Sequence, residues 1–72
     1  MIVITGPQRT PDELGDLIEM SALLGAALMT DHPAFADVTG FYRMAGWDCC
    51  AQASADVLLA TSFGWPVKDI VI

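Results

Sequence analysis

The chain opens on a short apolar run, Ile2-Val3-Ile4, which stops at Thr5-Gly6-Pro7 and gives way to the polar stretch Gln8-Arg9-Thr10-Pro11-Asp12-Glu13. A β-branched run ending at a glycine turn reads as a buried strand feeding directly into a helix. Thr10 is placed to cap the free N–H groups, Pro11 suits the first helical position, and Glu13 completes a capping box. Leu14, Leu17, Ile18 and Leu24 then recur at helical spacing and predict a face turned to the sheet, with Asp12, Asp16 and Glu19 on the opposite, wet face. Gly25 is the natural stop. An unbroken helix to Thr30 competes with it, since alanine and leucine favour that state. A break at Gly25 leaves Ala26-Ala27-Leu28-Met29-Thr30 as a second short strand and puts Asp31-His32-Pro33 in the loop at its end.

Beyond Pro33 the chain reads as loop or a single helical turn up to Gly40. Phe41, Tyr42, Met44, Trp47, Cys49 and Cys50 predict a second helix from about Gly40 to Ala53. Its apolar residues run nearly all the way round, so cover is expected on two sides, from the sheet and from a partner subunit. Asp56-Val57-Leu58-Leu59-Ala60 is a continuous apolar run of strand length, the pattern of a central parallel strand. Ser62-Phe63-Gly64-Trp65-Pro66 then leads almost at once into a last strand ending Ile70-Val71-Ile72. A parallel return needs a crossover of about a dozen residues, so that last strand is expected to be antiparallel to its predecessor. The predicted fold is a single α/β domain over residues 1–72: a small Rossmann-like sheet, mainly parallel in the order 2-1-3, with a short C-terminal antiparallel strand and two helices. Its ligand crevice belongs at the carboxyl ends of the strands.

Composition narrows the function. At 72 residues the core is small, and a chain 54% hydrophobic is apolar for that size, so self-association as a homodimer is expected to bury part of the surplus. The net charge of −6, with Arg9, Arg43 and Lys68 as the cations, argues against direct binding of nucleic acid and leaves room for a basic protein partner. Every apolar run is interrupted well short of the roughly 18 residues of a membrane span. The start lacks a basic segment, and no signal peptide is expected. The only cysteines, Cys49 and Cys50, are neighbours; a bridge between them is strained and closes almost no loop, so reduced thiols in a cytoplasmic protein are the expectation.

Several segments together resemble the nucleoside 2-deoxyribosyltransferase-like family and its small phage-encoded relatives. Ile2-Val3-Ile4-Thr5-Gly6-Pro7 is similar to that family's opening strand and Gly-Pro turn. Leu24-Gly25-Ala26-Ala27-Leu28-Met29, followed by His32-Pro33, resembles its helix end, second strand and proline. Asp48, with Asp56-Val57-Leu58-Leu59 eight positions later, resembles its aspartate, helix, aspartate and apolar strand, and Gly64-Trp65-Pro66-Val67 its entry to a later strand. The resemblance implies a nucleotide-sized crevice. It does not carry the activity over, because the family's nucleophilic glutamate lies between the last two strands, and here no glutamate follows Glu19.

The candidate ligand-binding residues are therefore Gly6, Pro7, Gln8 and Arg9, whose turn and helix N-terminus suit a phosphate, with Asp48 and His32 nearby. Each has an ordinary reading: a turn glycine, a surface arginine, a solvated helix carboxylate, a loop histidine. Phe41, Trp47, Phe63 and Trp65 are candidate interface residues, aromatics of the kind that anchor interfaces or simply fill cores. Cys49 and Cys50 read as buried packing in mid-helix, and one histidine with two adjacent cysteines makes no zinc site. No cofactor is implied. The leading expectation is non-catalytic binding of a nucleotide or nucleoside-like molecule; the alternative is a small acidic, phage-type counter-defence inhibitor, anti-CRISPR-like, that binds a host protein.

Overall fold

The computed structural model describes residues 1–29 and 34–70. Ile2–Thr5 (β1) lies inside a four-stranded sheet, between the two-residue strand Ala27–Leu28 (β2) and Gly40–Met44 (β3), and Val67–Ile70 (β4) adds to the far side of β3. The order is β2-β1-β3-β4 and every pairing is parallel, with Val3 opposite Ala27 and Phe41, and Phe41 opposite Val67. Two helices, Pro11–Leu24 (α1) and Ala51–Phe63 (α2), complete the α/β fold.

Strand alternation sorts the core into two halves. Val3 and Phe41 point to one face, where Val57 and Ala60 of α2 pack on them; Ile4 and Met44 point to the other, where Leu17 of α1 packs. Each helix thus covers its own face, as expected when both crossovers have the usual right-handed sense. The α1 ends follow the chemistry of the sequence. The Glu13 N–H donates to Thr10 Oγ1 at 3.2 Å, Pro11 fills the first turn, and Gly25, at φ 64°, closes the helix in the left-handed conformation.

Four expectations are corrected. The predicted helix from Gly40 to Ala53 is instead β3, a turn, and the Trp47–Cys49 single-turn helix. Phe41 is buried on the α2 face and Met44, with part-buried Tyr42, on the α1 face, so β3 carries apolar residues of both parities and mimics a helix that is apolar all round. That pattern therefore does not require a partner subunit. The predicted central strand Asp56–Ala60 is the middle of α2, whose buried positions Ala53, Asp56, Val57 and Ala60 fall at helical spacing. With a helix between them, β3 and β4 have the crossover a parallel pair needs, so the last strand is parallel, not antiparallel. Finally, Leu14, Ile18 and Leu24 are exposed although predicted to face the sheet. Beneath α1 the sheet offers only two residues of β2 beside β1, room enough for Leu17 and Met20.

One polar contact ties the layers together. Thr5, 1% exposed at the end of β1, donates its hydroxyl to Asp56 Oδ2 at 2.7 Å, and Asp56, 5% exposed on α2, accepts at Oδ1 from Gln52 Nε2 at 3.0 Å. A buried carboxyl group is tolerated only when its oxygens are satisfied in this way. Thr5→Val removes one donor and leaves the acid buried, so unfolding in urea should show a loss of about 1–3 kcal/mol; an unchanged midpoint would show that the bond does not hold α2 in place.

Candidate functional site

The chain leaves β1 toward α1 on one face and leaves β3 toward α2 on the other, so the connections part at the carboxyl ends of two adjacent strands. Ligand crevices of open parallel sheets form at such a switch point. Here the two connections are in contact. A Cβ on Gly6 would stand 2.9 Å from Met44 Cβ, so only glycine lets β1 turn this tightly against β3. Gly46, at φ 88°, lies under the Pro7 ring, where an added Cβ would come within 3.1 Å of Cγ.

Beside these glycines lies Cys50, the residue that precedes α2, 3% exposed and extended in backbone. The Ala53 N–H is the main influence holding its thiol below the ordinary value. Burial acts the other way, and the N–H groups of Gln8 and Gln52 and the charge of Arg9 add to the lowering. No side chain caps α2 and no acidic residue occupies its first turn. Its leading N–H groups therefore face the Cys50 thiol and no carboxylate, and that end favours an anion.

The same is not true of α1. The Arg9 N–H donates to Glu13 Oε1 at 3.1 Å, and the Arg9 guanidinium lies 3.5 Å from Glu13 Oε2, a contact that raises the arginine's pKa. Together with the Thr10 cap, this fills the helix end where a phosphate was expected. The Gln8 side-chain nitrogen is buried and makes no hydrogen bond among the described residues.

The structure thus brings Gly6, Pro7, Gln8 and Arg9 together at the switch point. Asp48 is exposed in the Trp47–Cys49 turn of the facing connection, and its charge acts on Arg43. Arg43 is held by Asp69 of β4, its guanidinium carbon 4.4 Å from the centre of the Trp47 ring, and the pairing lowers the Asp69 pKa. His32 lies outside the described residues. Among the expected interface residues, Phe41 is a core residue and Trp47 is half-buried beneath Arg43. Phe63 and Trp65 stack at 5.2 Å, joined by Phe35, just before β4 and so at the opposite end of the sheet from the switch point.

Two cysteine expectations change as well. Cys49 is exposed in a turn, and Cys50, though buried, sits at a helix N-terminus and not in mid-helix. The residue missed as an organiser is Asp56. Its signal was available: a carboxylate on the same helical stripe as Ala53, Val57 and Ala60 must meet a buried partner. No protein-family model, curated protein or solved structure matches the chain. The Asp56-Val57-Leu58-Leu59 segment, which resembled a strand of the deoxyribosyltransferase-like family, is helix here. Among the described residues no helix is long and apolar enough to cross a membrane, and no three potential metal ligands come together.

A depressed thiol pKa in the folded state adds stability that is present above the unfolded thiol's pKa, near 8.5, and is lost as pH falls through the folded value. The wild-type melting temperature, taken relative to that of Cys50→Ala, should therefore rise from about pH 7 to pH 9; a constant difference would mean that the N–H groups do not favour the thiolate.

Proposed function

We propose that the chain binds a phosphate-bearing, nucleotide-like small molecule where the β1–α1 connection meets the N-terminus of α2, and that it does so without chemistry of its own. The observation that carries this reading is an excess of donors over acceptors at one place. The buried Gln8 amide nitrogen has no partner among the described residues, the first turn of α2 is uncapped and free of acids, and Arg9 brings a cation beside Cys49 and Cys50. Backbone N–H groups at a helix start, with an adjacent arginine, are the usual means of holding a phosphate. The phosphate belongs at α2 and not at α1, whose first turn is filled by Thr10 and Glu13. Gly6 and Gly46 let the backbone come close, and Asp48 stands at the rim to meet a sugar hydroxyl.

A thermal-shift and calorimetric screen against mono-, di- and cyclic nucleotides tests this. A saturable ligand is expected whose affinity falls by about tenfold or more in Arg9→Ala, the loss of one charge-assisted contact. Absence of saturable binding across the panel, or binding indifferent to Arg9, refutes the reading.

The homodimer belongs to the other end of the molecule, where the exposed rings of Phe35 and Phe63 flank Trp65. Phe63→Ser should shift sedimentation toward the monomer; an unchanged profile removes this surface as the contact. A role in binding another protein is the second reading, favoured by the acidic flank of α1.

A further inference from the structure

On the face of the sheet covered by α1, one half is uncovered. The helix packs chiefly on β1 and β2, whereas on the opposite face α2 reaches β1, β3 and β4. Between α1 and the open half runs a continuous groove made of two hollows that share Asp16 and Met44. Its apolar lining is Pro7, Met20, Leu23, Met44 and Ala45, and its acidic lining is Glu13, Asp16 and Glu19. Leu23 is 73% exposed, the most exposed of the large apolar side chains among the described residues. Methionine is unbranched and polarizable, and it adapts to apolar partners of varied shape.

From this juxtaposition we infer that the groove is a docking site for a basic amphipathic helix of another protein, with its apolar stripe on Met20, Leu23 and Met44 and its Lys or Arg residues against Asp16 and Glu19. The charges select that occupant. Among the described residues Asp16 and Glu19 have no ion-pair partner, Arg9 and Arg43 are engaged by Glu13 and Asp69, and Lys68, on the same face, sits two strands from β1 on the far strand β4. A second copy of a chain with net charge −6 would bring the same acids against one another. An amphipathic helix laid in an apolar groove is a recurrent mode of recognition, and complementary charge at its margins sets the partner. The groove abuts the switch point through Pro7 and Met44, but its docking end at Asp16, Glu19, Met20 and Leu23 uses none of the phosphate-binding groups and stands if no nucleotide binds there.

The test uses the full chain and a short helical Leu/Lys peptide of amphipathic pattern, with a scrambled peptide of the same composition as control. Binding followed by calorimetry should saturate for the patterned peptide, and amide shifts in a nuclear magnetic resonance titration should centre on α1 and β3. The variant Asp16→Lys/Glu19→Lys should weaken binding by about tenfold or more, and Leu23→Asp by a similar factor. All three positions are exposed, so these variants should keep the wild-type melting profile. Equal affinity for the scrambled peptide, shifts centred elsewhere, or affinity indifferent to both variants overturns the inference. A dimer that Leu23→Asp dissociates would assign the groove to a second copy, and so overturn it too.

Discussion

The carboxyl group of Asp56, buried on α2 and satisfied by Thr5 and Gln52, is the contact on which the arrangement of the molecule depends. Apolar packing by Val57 and Ala60 draws α2 onto the sheet without specifying where along it the helix stops. The Thr5 hydroxyl sets the stop, because an acid a residue or two out of place would lose its donor in a dry interior. With α2 so placed, its N-terminus lies at the end of β1. The Cys50 thiol then meets the Gln8 N–H within the field of Arg9, and the two connections close on Gly6 and Gly46.

Local chemistry made the first third of the chain legible. The β1 strand, the Thr10 cap, Pro11 and the Gly25 stop are all signals that act within a few residues, and each appears in the structure. The order 2-1-3 was legible for the same reason, since a strand-helix-strand opening has few alternatives, although the third strand is Gly40–Met44 and not the expected Asp56–Ala60. The second half misleads because its apolar residues show no clean period: β3 carries them on both faces, and α2 adds the exposed Leu58 to its buried stripe. Phe41 through Met44 looked helical while forming a strand, and Val57 through Ala60 looked like a strand while forming a helix. The small residues Ala53 and Ala60, at one helical stripe with Val57, were the usable signal.

For the candidate site, residues 6–9 were legible from the glycine turn alone, but their partner was not. The expected phosphate position was the nearest helix start, yet that end is occupied by Glu13, whose N–H meets the expected Thr10 cap while its carboxylate accepts from the Arg9 N–H and not, as in a capping box, from Thr10. The open helix start belongs to α2, some forty residues away in sequence and adjacent only because β1 and β3 pair. Cys50 belongs to the crevice for that reason alone. The acidic residues of α1, which looked like an ordinary solvated face, gain meaning from what lies beside them: Met20 and Met44 in a half-covered sheet.

The pairing of β1 with β3 also governs how the chain reaches this state. β1 precedes its neighbour Gly40–Met44 by the long segment that carries α1 and β2, and the two pair only when that segment is closed. The two-residue β2 is too short to hold β1 meanwhile, since a pair of strands gains little stability alone. Chain entropy is therefore lost in closing that segment before parallel pairing returns anything, which slows folding relative to a helical protein of equal size. Until then Val3 and Ile4 stay open to solvent, and the growing chain carries an unpaired apolar strand that invites misassociation with its neighbours.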